Sequence, residues 1–291
     1  MAYNPNAKLK PSTIKKYEEG KKMYVEGVSI EQIALTLHLE RRKFSHYLQE
    51  QGIEIINPTT KRELNEDYFE TIDTEGKAYW LGFLYADGCV CERKRNGKIK
   101  SMFLEIGLKR SDDEHLLKFI DAIGYKNAKL CYRTVNGVET VRLQIFCTKM
   151  CRDLIKHGCV PCKSLILKPP ILDNPLITHF IRGYVDGDGY IGLRHNKTNT
   201  RLRFSILGTK PMLNYIIDYF NLKNKDYKIR LASKNNNECF SLETNLKATE
   251  FILPILYKNS NIHLTRKYNL VLPFMENVDW CNHEVSREQN R

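Results

Sequence analysis

The chain has 291 residues, of which 42% are hydrophobic and 10% aromatic, enough to bury the cores of about two domains and to exclude wholesale disorder. Its 46 Lys and Arg against 34 Asp and Glu give a formal charge of +12, a balance suited to a polyanionic partner. No apolar run approaches the ~20 residues of a membrane span, and Met1 to Thr13 lack secretory or presequence character. The expectation is a soluble protein of the cytoplasm or nucleoid, of bacterial, phage or organellar origin, with no membrane partner. Nine cysteines, an odd number, argue against a disulfide framework. Cys147-x3-Cys151 and Cys159-x2-Cys162 have a spacing that can hold zinc, but they fall on a helix and its exit loop, so they read as reduced apolar residues.

The first elements form a small helical region. An amphipathic helix is predicted near Ser12–Glu26. Ser29 is a natural N-cap for a second helix through Leu37, with Ile30, Ile33, Ala34 and Leu37 as its buried stripe. After a turn at His38-Leu39, a third helix spans Glu40–Glu50 and Gly52 ends it. This is the spacing of a trihelical helix-turn-helix domain over residues 1–52, with Arg41, Arg42, Lys43, Ser45 and His46 placed to face a DNA groove. Residues 53–66, with Asn57-Pro58-Thr59-Thr60, read as a linker. Residues 1–66 carry a net +2 and the remainder +10, so the main grip on a polyanion belongs to the later part.

That later part repeats itself. Trp80-Leu81-Gly82-Phe83-Leu84-Tyr85-Ala86-Asp87-Gly88 returns 101 residues on as Ile181-Arg182-Gly183-Tyr184-Val185-Asp186-Gly187-Asp188-Gly189. A second pair follows. Cys162-Lys163-Ser164-Leu165 through Pro169 parallels Arg266-Lys267-Tyr268-Asn269 through Pro273, each lysine 76 or 79 residues after its own aspartate. Between these landmarks, strand-like runs flank Asn96-Gly97, a two-residue hairpin signal. Ser111-x-x-Glu114 has the form of a capping box opening a helix that ends at Gly124. A second hairpin turns at Asn136-Gly137, and a helix from Thr148 stops at Gly158. In the second half, strands flank Asn196–Asn199, a helix begins near Lys210-Pro211, strands flank Asn235–Asn237, and a helix covers Leu246–Tyr257. Each half reads αββαββα, the first over 67–169 and the second over 170–291 with a C-terminal tail.

The repeated helix has a physical meaning. Gly82 and Ala86, like Gly183 and Gly187, lie four apart and form a stripe of very small residues on one face. Glycine inside a helix costs ~1 kcal/mol relative to alanine, which close approach of two helix backbones would offset. Each helix then ends in Asp-Gly. A carboxylate in the last turn is disfavoured by the helix dipole, and two such ends packed together add repulsion. A divalent cation held by hard oxygen ligands removes both penalties.

These paired motifs resemble the signature of the LAGLIDADG homing endonucleases in their single-chain, two-motif form, over roughly Asp67 to Asn277. The resemblance implies an α+β fold in which two pseudo-symmetric αββαββα repeats form a saddle on DNA. It implies hydrolysis of both strands of a long double-stranded target by a monomer. Asp87 and Asp188, with the adjoining Gly88 and Gly189, would form the metal site. Mg2+ is the expected cofactor, Mn2+ or Ca2+ able to substitute and zinc not expected. Lys163 and Lys267 resemble the basic residues of the family's catalytic pocket, where they would polarise water or stabilise the phosphate. Asp186 corresponds to Tyr85 and is not counted as catalytic. The family's polar residue at the end of the second strand has no counterpart in Ile106-Gly107-Leu108 or Leu207-Gly208-Thr209, so nothing is carried over there. On the strands, Lys98 and Lys100, Arg201 and Arg203, and Lys228 and Arg230 are expected to share faces two by two; Arg93, Arg95, Arg133, Arg142 and Arg194 join them as DNA contacts. Related proteins on the same core include intron RNA maturases and transcription regulators; a degenerate regulator would be expected to lose the motif acids, and both are present here.

Overall fold

The computed structural model describes residues 11–26, 28, 30–53, 63–195, 200–233 and 236–276. The chain divides into two compact units, 1–62 and 63–291. In the first, α1 (Pro11–Val25), α2 (Ile30–Thr36) and α3 (Arg41–Glu50) enclose Tyr17, Ile30, Ile33, Phe44, Tyr47 and Leu48. His38 and Gly52, both at positive φ, close α2 and α3. The expected cap Ser29 and most of the linker, 54–62, lie outside the described residues.

The second unit is the doubled αββαββα expected from the repeats. The first copy runs α4 (Glu75–Ala86), β1 (Gly88–Arg95), β2 (Lys98–Lys109), α5 (Asp113–Ala122), β3 (Leu130–Val135), β4 (Val138–Ile145) and α6 (Thr148–Lys156). The second runs α7 (Asn174–Asp188), β5 (Gly189–His195), β6 (Thr200–Gly208), α8 (Lys210–Tyr219), β7 (Tyr227–Ser233), β8 (Asn236–Thr244) and α9 (Leu246–Tyr257), and adds α10 (Thr265–Met275). Each sheet is antiparallel, in the order β1-β2-β4-β3 and β5-β6-β8-β7. Asn96-Gly97 and Asn136-Gly137 have positive φ at both residues, which the two-residue hairpins require. The turns 196–199 and 234–235 lie outside the described residues.

At the centre α4 and α7 lie against each other, buried on all sides from Ala78 to Tyr85 and from Phe180 to Asp186. The small-residue stripes are the reason they can. A Cβ on Gly82 would overlap the Phe180 carbonyl and stand 2.9 Å from the Tyr184 amide nitrogen; one on Gly183 would overlap the Tyr79 carbonyl and stand 2.8 Å from the Phe83 nitrogen. The two contacts are the same contact under the repeat's pseudo-twofold. Both helices run in one direction, so Gly187 meets Ala86 and Asp87 at their shared C-terminal end.

Three expectations change. Ser111 does not cap α5: residues Arg110–Asp112 form a 3-10 turn, and Asp112 takes the N-cap position without a side-chain cap bond. Its carboxylate instead accepts two hydrogen bonds from Arg266 Nε, at 2.8 and 3.1 Å, tying the first repeat to α10 of the second. Gly88 and Gly189 are not left-handed helix terminators; Gly189 has φ −85° and ψ 149°. They are small because a Cβ would stand 2.7 Å from the Leu84 carbonyl oxygen at Gly88 and would overlap the Val185 carbonyl at Gly189. Finally, the segments around the two lysines diverge. Lys267 opens into the helix α10, whereas Lys163 begins a 3-10 turn, Lys163–Leu165. Pro169 is matched by Pro273, which α10 tolerates, but the first repeat adds Pro170, and consecutive prolines remove two amide donors and force the chain to extend.

The interlock gives a direct test. Gly82→Ala or Gly183→Ala must push the helix backbones apart and is expected to destabilise the chain by about 3 kcal/mol or more. Gly107→Ala, where an added Cβ meets nothing within 4 Å, is the matched control and should leave the thermal midpoint nearly unchanged.

Candidate active site

The shared end of α4 and α7 brings Asp87 and Asp188 together. The Asp87 carboxylate lies 3.2 Å from where a Cβ of Gly187 would stand, one residue before Asp188. Both acids are partly buried. Burial pushes the Asp87 carboxyl up to about 6 against the pull of Lys267 and Lys163. It lifts Asp188 to about 6 as well, with the negative charge of Asp87 adding to the rise and the two lysines opposing it. Among the described residues no group of three or more His, Cys, Asp or Glu side chains is placed to hold a metal ion. The donor set here is the carboxylate pair, which suits Mg2+, a cation commonly held by one or two carboxylates with water and substrate phosphate completing its shell. The fit is one of chemistry: hard oxygen donors, close together, with excess negative charge.

The two lysines stand beneath this pair. Lys267, 2% exposed, donates to the carbonyls of Val185 at 2.7 Å, Asp186 at 2.8 Å and Gly189 at 2.5 Å. An ammonium has three donors, so none is left for water or phosphate. Here the geometry departs from the expected direct role at the phosphate: Lys267 caps the C-terminus of α7, where a cation complements the helix dipole. Burial pulls it down to about 8, while Asp186, Asp87 and Asp188 hold the proton on. Lys163, 6% exposed, repeats the arrangement at α4 by donating to the carbonyls of Ala86, at 3.4 Å, and Gly88. Its third donor remains available. The carbonyls of Gly88 and Gly189, expected as metal ligands, each accept from a lysine and keep a second lone pair.

Asp186, set aside as non-catalytic, is fully buried and accepts from Tyr79 Oη at 2.6 Å, Tyr257 Oη at 2.6 Å and the Leu264 amide at 2.8 Å. Since the Tyr79 hydroxyl gives its one proton to Asp186, His115 Nε2 must donate to the Tyr79 oxygen, 3.0 Å away. His115 Nδ1 is left buried without a partner, and burial drives the imidazole down to about 3. None of this is visible in spacing, because Tyr79, His115, Asp186 and Tyr257 come from four elements of both repeats.

Each sheet presents one face to its helices and leaves the other open, and most expected DNA contacts are on the open faces. Register places Arg203 opposite Gly192, Arg201 opposite Arg194, Lys228 opposite Glu243 and Arg230 opposite Ser241, so Arg201 with Arg203 and Lys228 with Arg230 share faces as expected. Arg133 pairs with Thr140, and Arg142 with Gly107 and Cys131. Lys98 and Lys100 do not follow simple alternation. The register of β1 and β2 slips between Arg93 and Lys94, leaving Lys100 as an extra residue between Ser101 and Ile99, while Lys98 faces Arg95. In the first unit Arg41, Arg42 and Lys43 are exposed and Ser45 and His46 partly so; Arg41 pairs with Glu31 at 2.6 Å, Lys43 with Glu40 at 2.7 Å and His46 with Glu50 at 3.2 Å.

Register also shows the polar strand-end residues that the sequence reading missed. Gly88 pairs with Ile106 and Cys89 with Glu105; Tyr190 pairs with Ser205. The open-face positions beside the carboxylates are therefore Glu105 and Ser205, one and two residues before the segments first considered. Glu105 accepts from Gln144 Nε2 at 2.5 Å and Arg142 at 3.4 Å. The signal was strand alternation counted from the Asp-Gly junction. Of the cysteines weighed as zinc ligands, Cys147, Cys151 and Cys159 are buried and Cys162 is exposed; Cys147 Sγ accepts from the Met150 amide at the start of α6.

Removing the ammonium in Lys267→Met strands three carbonyls and the buried Asp186 charge; the expected loss is about 3 kcal/mol or more in denaturant unfolding, and Lys163→Met should cost less. His115 gives a pH signature. Its folded pKa lies below the unfolded value, so the unfolded chain takes up a proton first and stability falls as pH drops from about 6.5 toward 3, by up to ~1.4 kcal/mol per pH unit. Asp87 and Asp188, with raised folded values, act oppositely between about pH 6 and 4. The comparison that isolates the histidine is wild type against His115→Gln at each pH: the difference should shift steadily against wild type below pH 6.5, and a constant difference would mean that His115 is not held neutral.

The comparisons with known proteins come to bear on this geometry. The family profile described as LAGLIDADG endonuclease matches residues 181–278. No curated protein matches the chain. Among solved structures, the LAGLIDADG homing endonuclease I-GzeII in complex with its DNA target is similar at 12% identity and a TM-score of 0.46, covering 76% of this chain and 98% of that one. I-AabMI bound to uncleaved DNA is similar at 15% and 0.44, covering 73% and 91%. I-DmoI in complex with DNA and Ca is similar at 19% and 0.42, covering 67% and 92%. Over residues 181–278 the chain matches the LAGLIDADG endonuclease family model, and the residues before them supply a second copy of the αββαββα architecture.

Proposed function

We propose that the chain is a divalent-metal-dependent endonuclease that hydrolyses both strands of a long double-stranded DNA site as a monomer, with Asp87 and Asp188 as its catalytic carboxylates. The observation that carries this reading is the convergence of the two acids at the joined ends of α4 and α7, each backed by a buried lysine. One chain supplies both acids, so a single copy suffices for a site with two half-reactions. A bound Mg2+, for which Mn2+ or Ca2+ could stand in, supplies Lewis-acid activation of water and neutralises phosphate charge. The protein's own part is positional. The glycine interlock fixes the separation of the acids, Lys267 and Lys163 hold the helix ends, and desolvation keeps the carboxylates poised to trade protons for a cation. Of the two lysines, Lys163 is the one that keeps a donor beyond its two carbonyls, and we assign any direct phosphate contact to it. The open sheet faces carry the arginines and lysines that would hold the duplex, and α3 of the first unit adds a further contact.

Asp87→Asn and Asp188→Asn are each expected to lower double-strand cleavage at least a hundredfold on a plasmid library with Mg2+, while duplex binding in Ca2+ persists. Because burial raises both carboxyls, ionising them above about pH 6 opposes folding. The two variants should therefore unfold at higher temperature than wild type at pH 8 in EDTA, by about 2 kcal/mol each, which separates lost chemistry from lost structure. Cutting that survives either substitution would remove these residues from the mechanism.

A further inference from the structure

The two open sheet faces are not equivalent, and the difference centres on one arginine. Arg93 lies on the exposed face of β1, opposite Ser101, and Phe103 is two pairs nearer the carboxylates, opposite Cys91 and on the same face. Phe103 and Phe146 stack with centroids 5.0 Å apart and planes at 29°. The Arg93 guanidinium lies over both rings, 4.4 Å from the Phe146 centroid and 5.2 Å from that of Phe103. Two nearby cations are occupied, Lys94 with Glu92 at 3.2 Å and Arg142 with Glu105 at 3.4 Å, whereas Arg93 forms no ion pair among the described residues and is set apart from the other unpaired cations of its hairpin by the rings beneath it.

A guanidinium whose flat face is covered by aromatic rings keeps its edge donors, and it loses less rotamer freedom when they are used. Two parallel N–H groups in a fixed plane match the O6 and N7 acceptors of guanine in the major groove. Arg93 is six residues beyond Asp87, roughly 20 Å along a strand, so it would meet the duplex some six base-pair steps from the cut. The pseudo-symmetric position in the second repeat, 101 residues on, is Arg194. Among the described residues no ring covers it in the same way: it stands opposite Arg201, with Arg203 opposite Gly192 where the first repeat has Phe103 opposite Cys91. Arg194, Arg201 and Arg203 share one face of the second sheet, an arrangement that suits the diffuse charge of phosphates.

We propose that Arg93, clamped against the Phe103–Phe146 pair, is a specificity-determining residue that reads one guanine in the half-site held by the first repeat, and that Arg194 at the matching position of the second repeat imposes no such guanine. The proposal rests on the DNA-cleaving reading for its duplex partner but not for its chemistry.

The test is selection of bound duplexes from a randomised pool by the full-length chain in Ca2+, followed by sequencing, for wild type, Arg93→Ala, Phe146→Leu and Arg194→Ala. Wild type should enrich a guanine about six base pairs from the centre on one side only. Arg93→Ala should lose that preference tenfold or more with the other positions unchanged, Phe146→Leu should lose part of it, and Arg194→Ala should weaken all sequences alike and flatten the salt dependence. A uniform loss of affinity in Arg93→Ala, with the selected sequence unchanged, would make Arg93 a phosphate contact and overturn the proposal. So would a mirror-image guanine that disappears in Arg194→Ala, or a wild-type chain that enriches no duplex. An Arg93-dependent guanine in a chain that cuts nothing would sink the nuclease reading and leave this one standing.

Discussion

The contact between two backbones, α4 against α7, is the constraint from which the rest follows. Side chains normally keep helix axes 8–10 Å apart; Gly82 and Gly183 remove that spacer at the crossing, so main chain faces main chain. The acids that follow are attached to the ends of this rigid pair, and β1 and β5 start immediately after them. Position of the carboxylates, direction of both sheets and burial of the lysines are thus set by a few missing methyl groups.

Electrostatics then resolves a conflict that the interlock creates. Two helix C-termini meeting at one point concentrate partial negative charge, and two aspartates add to it. The chain answers with one buried ammonium per helix, aimed at carbonyls and not at solvent. The compensation is unequal: α7 receives a saturated ammonium and the carboxylate network of Asp186, whereas α4 receives a lysine with capacity in reserve. A pseudo-symmetric frame therefore carries an asymmetric centre.

Much of this was legible in the residues. The duplication, the small-residue stripes, the hairpins at Asn96-Gly97 and Asn136-Gly137 and the αββαββα order all depend on short-range patterns with strong physical meaning. What escaped depended on long-range pairing. Ser111 looks like a cap until Arg266, from the other repeat, draws Asp112 away. Lys98 and Lys100 look like neighbours on one face until the strand register slips. Glu105 and Ser205 lie one and two residues before the segments where a polar residue was sought, positions that only the strand register identifies. For Lys267 the residues give the charge but not the three carbonyls that accept from it.

The hydrogen bond from Tyr79 to Asp186 carries an evolutionary implication. Under the repeat's pseudo-symmetry Tyr79 corresponds to Phe180 and Asp186 to Tyr85. Were the second repeat to pair with a copy of itself, Asp186 would face phenylalanine across the helix seam and lose a donor at a fully buried site; a self-paired first repeat would bring Tyr79 against Tyr85 and have no acid to receive its proton. The two halves have become obligate unlike partners. Once such a lock is in place, the outer surfaces of the two halves can diverge while the seam between them holds each to its unlike partner.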